Sequence, residues 1–280
     1  MVRRERIPLK IARDYYREIR QLLDEAHRMV WDAFVNEIVP RIKVTRQQSQ
    51  PLTAYSASLA TNATISDVTR ILDRLEVAIT SQVFNTAILR EIARQFVQRI
   101  LNANNRAMQA QFGRLWAVRG IDPTATDEWL EALIETAVEE NVQYIKSVSA
   151  QYHREVRNII IQGVKRGTNI NDLKSAIAER AKVSQSRAKF IARDQLGSIY
   201  SDITRHRQQR MGLKKFRWVT ARDERVRESH QVLDGQVFTW KDGARNERGE
   251  QIWPGTDYNC RCVAIPVAEE LAAIKEGTRQ

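Results

Sequence analysis

The chain is 280 residues long, carries a formal net charge of +11, and is 42% hydrophobic and 28% charged, a composition usual for a globular protein of one large domain or two ordinary ones. Its only cysteines, Cys260 and Cys262, exclude a disulfide framework; a disulfide between them would close a strained ring, so reduced thiols or metal ligation are expected, in a reducing compartment. No apolar run reaches the roughly 18 residues that a helical membrane span needs, and no apolar core follows the basic Met1–Arg6 segment, so a soluble protein without a signal peptide is expected.

Glycine is absent before Gly113, whereas four fall between Gly235 and Gly255. Because glycine serves turns and tight backbone, this pattern predicts long helices first and a turn-rich region last. Ile11, Tyr15, Ile19, Leu22, Leu23, Ala26, Val30, Phe34 and Ile38 recur at helical spacing over residues 9–39, with Pro8 at the start and Pro40 as the stop. Residues 44–64 are polar, rich in Thr, Ser, Gln and Ala, and contain Pro51, which predicts a surface loop. An apolar stripe from Ile65 to Ile100 marks a helix over 65–112, with Ser66 as its N-cap and Asn102, Asn104 and Asn105 as breakers. About 48 residues of helix would be roughly 70 Å long, so this stretch is either broken or packed against partner helices. Gly120 to Pro123 makes a connection, and Thr126 caps a helix from Asp127 to about Arg166, closed by Gly167. Asn169 or Asn171 caps a short helix to about Arg180, and Ser184 caps another that ends at Gly212.

Beyond Gly212 the period changes. Phe216, Trp218 and Thr220 alternate with Arg217 and Val219, which predicts a strand; Gln236 to Trp240 and Arg261 to Val267 are two further strands, and the last dozen residues a frayed helix or tail. The expected fold is α+β and mostly α. A long helical region covers 1–168, a small α+β module with a short antiparallel sheet covers 169–267, and a tail covers 268–280.

From Arg187 to Arg227, twelve Lys and Arg stand against four acids, so most of the excess charge sits in one stretch, interleaved with Phe216 and Trp218. Lys214, Lys215, Arg217, Arg222 and Arg225 are candidate phosphate contacts. A solvated face, or pairing with an acidic protein surface, accounts for the same charge. No base-reading motif is present, so any DNA binding is expected to be non-specific. Asp223, His230 and Asp234 have the chemistry for general-base or metal-dependent hydrolysis. However, no nucleophile with a matching base is evident, Asp234-Gly235 is a common turn dipeptide, and Asp223 can cap or pair with nearby arginines. No residue is therefore assigned as catalytic. Asp194, beside Arg193 on a helix, is expected to be a salt-bridge partner.

The ordered set Asp194, Trp218, Asp223, His230, Leu233-Asp234-Gly235, Pro254-Gly255 and Asn259-Cys260-Arg261-Cys262 resembles the Mu F-like domain of phage minor head proteins, over roughly a third of the chain. The resemblance implies a minor capsid protein of head morphogenesis. Such a protein would dock on the portal through its helical region, meet major capsid or scaffold protein, and sit inside the virion head near packaged DNA after assembly in the host cytoplasm. The alternative is a DNA-active or toxin-like enzyme module that uses Asp223, His230 and the Cys260/Cys262 region. Some relatives carry Cys-x-x-Cys where this chain has Arg227-x-x-His230, and His where it has Asp257, a set that would suit zinc. The corresponding metal set here is His230, Asp257, Cys260 and Cys262, all donors that zinc accepts. One cysteine is lost and Asp is the weaker structural ligand, so the expected role is a buried, hydrogen-bonded cluster that closes the sheet, with no cofactor.

Overall fold

The computed structural model describes residues 7–48, 54–119 and 122–276. Helix α1 (Leu9–Ala33) continues through a π-helical turn, Phe34–Ile38, into α2 (Val39–Gln48). Pro40 therefore does not stop the helix. Proline lacks an N–H and crowds the carbonyl four residues back. The wider π turn, in which the Val39 N–H reaches the Phe34 carbonyl, comes directly before it and relieves that crowding.

Helix α3 (Ala54–Gln82) begins inside the segment expected to be a loop. Alanines 54, 57, 60 and 63 favour helix more strongly than the intervening Ser and Thr oppose it. The hydroxyls of Thr45 and Thr64 are hydrogen-bonded to each other. Pro51 lies outside the described residues. The long apolar stripe is broken between α3 and α4 (Thr86–Arg119), where Asn85 caps α4 by accepting the Ala87 N–H at 2.8 Å. Ser66 lies inside α3 and is not its cap, and Asn102, Asn104 and Asn105 lie inside α4 and do not break it.

Asp127, not Thr126, caps α5 (Glu128–Arg166): its Oδ1 accepts the Leu130 N–H at 2.9 Å, and a carboxylate suits the positive end of the helix dipole. The helix closes at Gly167 (φ +66°), where the Thr168 N–H reaches the Gly163 carbonyl at 2.9 Å. Asn169 caps α6 (Ile170–Arg210) through the Asn171 N–H at 2.8 Å. The two helices expected here are one. The Ser184 hydroxyl bonds back to the Arg180 carbonyl at 3.2 Å, a bond that keeps serine inside a helix instead of capping a new one.

Strand β1 (Lys215–Val219) is central in an antiparallel sheet, with β2 (Val237–Thr239) on one side and, later in the chain, β5 (Val263–Pro266) on the other. Phe216 stands opposite Phe238 and Pro266, and Trp218 opposite Ala264. A hairpin of β3 (Ala244–Arg245) and β4 (Gln251–Ile252) was not expected; strands of two residues each are too short to show alternation. The single-turn α7 (Glu228–Gln231) carries His230, and α8 (Ala268–Glu276) occupies the expected tail. The fold is α+β and mostly α. Among the described residues, no helix is long and apolar enough to cross a membrane.

The chain forms two compact units from discontinuous segments. Residue 168, the expected boundary, lies in the α5–α6 turn and inside one of these units. One unit, Tyr16–Ile92 with Val142–Lys189, is helical and buries Ile19, Leu23, Phe34, Ile79, Tyr152 and Ile160. In the other unit, which holds the remaining residues, Phe216, Trp218, Leu233, Trp240, Ile252, Cys260, Cys262 and Ala264 form one core on the sheet.

The second unit also buries Arg207, 1% exposed. Its guanidinium donates to Asn104 Oδ1 at 2.7 Å and to the Thr124 carbonyl at 3.3 Å, while Asn104 Nδ2 donates to Thr204 Oγ1 at 2.7 Å. Burial pulls the Arg207 pKa down to about 10, still above neutrality, so a charge is held in the interior by neutral acceptors. Asn104→Leu strips the main acceptor from this charge and should cost about 2–3 kcal/mol, read as a fall in Tm. Adding Arg207→Met should recover most of the loss; a double variant no more stable than Asn104→Leu alone would show that the buried charge is not held by Asn104.

Candidate functional site

The site begins on one face of α6, where Asp194, Gly197 and Ser201 meet the segment 254–260. A Cβ on Gly197 would lie 2.9 Å from the Cys260 carbonyl and 3.3 Å from that of Gly255. A Cβ on Gly255 (φ +92°) would lie 2.8 Å from both the Gly197 carbonyl and Ser201 Cβ. Only glycine at both positions permits this approach. Ser201 Oγ donates to the Pro254 carbonyl, and Asp194 Oδ1 accepts the Asn259 N–H at 2.8 Å. Asp194, expected as a salt-bridge partner, thus holds backbone, and burial raises its pKa above the usual carboxylate value. The Asn259 N–H is presented from a left-handed backbone (φ +52°) that asparagine tolerates.

This anchored loop brings both sulfurs to His230. Its Nδ1 lies 3.5 Å from Cys260 Sγ and 3.7 Å from Cys262 Sγ, and all three residues are buried. Trp218 meets the imidazole edge-on, with ring centroids 5.5 Å apart. Cys260 Sγ also accepts the N–H groups of Gly255 and Cys262, each at 3.4 Å. Hydrogen bonding from the Cys262 thiol, with help from His230 and the Cys262 N–H, pulls the Cys260 pKa down against burial, while the same bond and burial push Cys262 up. The hydrogen bond to Cys260 raises the His230 pKa against the effect of burial.

Asp257 does not join the sulfurs. Its Oδ2 lies 3.3 Å from His230 Nε2, on the opposite edge of the ring, and is paired with Arg227 at 2.6 Å. Of the four expected ligands, three converge: the donor atoms of His230, Cys260 and Cys262 lie within 4.8 Å of one another. Asp257 supports the imidazole from behind, a placement that residue spacing alone does not distinguish from direct ligation.

Asp223 and His230 are not used together. Asp223 forms a bidentate pair with Arg261 and accepts the Arg225 N–H at 3.1 Å; the Arg261 bonds lower its pKa to about 2. Asp234 accepts the Thr220 N–H at 2.8 Å and Arg222 Nε at 2.9 Å, and Gly235 (φ +81°) completes that turn. Of the candidate phosphate contacts, Arg222 is thus engaged, and Arg217 donates to the Gly235 carbonyl at 2.6 Å. Lys214, Lys215 and Arg225 are exposed or half-exposed. The roles of Gly197 and Ser201 were missed; a small-xxx-small pair at Gly197 and Ser201 was the available signal, and it is weak without knowledge of what packs on it.

The site therefore belongs to an α+β module in which a long helix cradles a Cys-x-Cys loop under a three-stranded sheet. That module is similar to a phage protein: residues 154–265 match the family described as Phage Mu protein F like protein. An uncharacterized protein of Haemophilus influenzae is 42% identical over 129 residues, 46% of this chain and 28% of that protein. An uncharacterized protein of Methanocaldococcus jannaschii is 30% identical over 128 residues, 45% of this chain and 19% of that protein. The NAD(+)--arginine ADP-ribosyltransferase EFV of Enterococcus faecalis is 28% identical over 131 residues, 42% of this chain and 26% of that protein. The chain thus spans less than a third of the length of these relatives. No solved structure matches it.

Gly197→Ala separates the local from the tertiary effect. Alanine favours a helix interior by about 1 kcal/mol over glycine, yet here its methyl meets two backbone carbonyls, and overpacking of this kind costs about 1–3 kcal/mol. The variant should have a lower Tm and faster cysteine alkylation; an unchanged or higher Tm would show that the helix and loop do not touch as described.

Proposed function

We propose that this chain is a structural protein of the phage head that binds the portal, has no catalytic activity of its own, and lies inside the head with its Mu F-like module against packaged DNA. The match over residues 154–265 carries the reading. The site supports it: Asp223 is spent on Arg261, Asp234 on Arg222 and backbone, and His230 on two sulfurs and Asp257, so the acids and the histidine act as braces. The side chains of Lys214, Lys215 and Arg225 supply a salt-sensitive, sequence-independent surface for phosphates. Major capsid or scaffold protein is a further contact in the same compartment.

Coexpression with the portal protein of the same phage tests the main claim. The two should co-elute on size exclusion, and consistent failure to associate would overturn portal binding. For DNA, affinity for a random duplex should fall with salt. Replacing Lys214, Lys215 and Arg225 by Gln should reduce the slope of log K against log salt by about 1 for each phosphate no longer neutralised. An affinity flat with salt would remove DNA as a partner.

The alternative is an enzyme module, and one observation favours it: the resemblance to a protein named as an arginine ADP-ribosyltransferase. The shared segment is 26% of that protein, and the transferase name describes the whole of it. Purified chain tested for DNA cleavage and for ADP-ribosyl transfer to arginine should be inactive in both; turnover abolished by His230→Ala would establish the enzyme instead.

A further inference from the structure

We propose that His230 Nδ1, Cys260 Sγ and Cys262 Sγ are three ligands of a zinc-type divalent cation, with the fourth position open to a small cavity beside them. The proposal goes beyond the head-protein reading and does not depend on it.

The first argument is distance. A tetrahedral zinc with bonds of about 2.1 Å to nitrogen and about 2.3 Å to sulfur holds those two ligands about 3.6 Å apart. The observed separations are 3.5 and 3.7 Å, from one nitrogen to two sulfurs. A single Nδ1 can make one good hydrogen bond to a thiol; its equal approach to both sulfurs is the edge pattern of a shared cation.

The second argument is the back of the ring. Zinc-bound histidines donate their other ring N–H to a carboxylate or carbonyl, which fixes the tautomer. Asp257 Oδ2 stands 3.3 Å from Nε2, which is buried and otherwise lacks a hydrogen bond, so this carboxylate is the group placed to take its proton. Asp257 is itself oriented by Arg227 at 2.6 Å. With its proton on Nε2, Nδ1 would face the two sulfurs as a lone-pair donor, as ligation requires.

The third argument is charge. Two thiolates buried together repel each other and are costly away from water. One divalent cation with two thiolates and a neutral imidazole is neutral overall, so the group can remain buried. The three donors line a cavity of about 100 Å³ with Arg225, Arg227 and Arg261. That space accommodates a water or small anion as fourth ligand, and the arginines favour an anion.

The full chain, reduced and equilibrated with Zn2+ and then dialysed against a weak chelator, should retain about one zinc per chain. Exchange with Co2+ should give a near-ultraviolet thiolate-to-cobalt charge-transfer band. The Cys260→Ser/Cys262→Ser variant should lose both signals, and Asp257→Asn should keep the band with metal affinity weakened by about 10–100-fold. Should the double variant fail to fold, alkylation of the wild-type cysteines decides: Zn2+ should slow it at least tenfold. Folded, reduced wild-type protein that retains no zinc, gives no charge-transfer band, or is alkylated at the same rate with and without Zn2+ overturns the proposal. A zinc-loaded chain that ignores the portal would overturn only the functional reading.

Discussion

Helix α6 and the 254–260 segment meet only because both carry glycine where they touch, and the arrangement of the module follows from that contact. Gly197 and Gly255 bring two stretches of backbone within the distance of a single methyl group. At that range polar backbone must be satisfied, and Asp194 and Ser201 do so by taking the Asn259 N–H and the Pro254 carbonyl. The loop cannot slide along the helix without orphaning these groups. Cys260 and Cys262 are therefore delivered to His230 as rigid backbone, not as side chains searching for a partner.

The basic character of the stretch before the loop has a different meaning once the pairs are placed. Arg222, Arg227 and Arg261 each bind a carboxylate of the module, and Arg217 binds the Gly235 carbonyl. These bonds tie the turns around Asp223, Asp234 and Asp257 to the sheet. Of the candidate phosphate contacts, Lys214, Lys215 and Arg225 keep exposed side chains. Asp223 and Asp234, which looked like candidate acids and bases, are held ionised by their hydrogen-bond partners.

The helical part was legible wherever the apolar stripe was long, because burial of one face at a period of 3.6 residues leaves a mark that survives local detail. It misled at boundaries. Pro40 and Asn104 looked like breakers, and each is tolerated for a reason beyond its residue type: a π turn in one case, the buried Arg207 in the other. Ser66 and Ser184 looked like caps, since serine is one by preference, yet inside a helix serine can satisfy itself on the preceding turn, as Ser184 does.

The sequence by itself determined the class of the fold, the strands around Trp218, and the set of residues that mark the module, because periodicity and residue order are local and need no partner. The resemblance to Mu F-like relatives grouped His230 with Asp257, Cys260 and Cys262. Tertiary structure decided what each of them faces. Whether Asp257 sits before or behind the imidazole depends on how α7 packs against the loop, and spacing along the chain carries no information about which edge of a ring is approached. The importance of Gly197 was likewise invisible, because a missing side chain acquires meaning only when another backbone occupies its place.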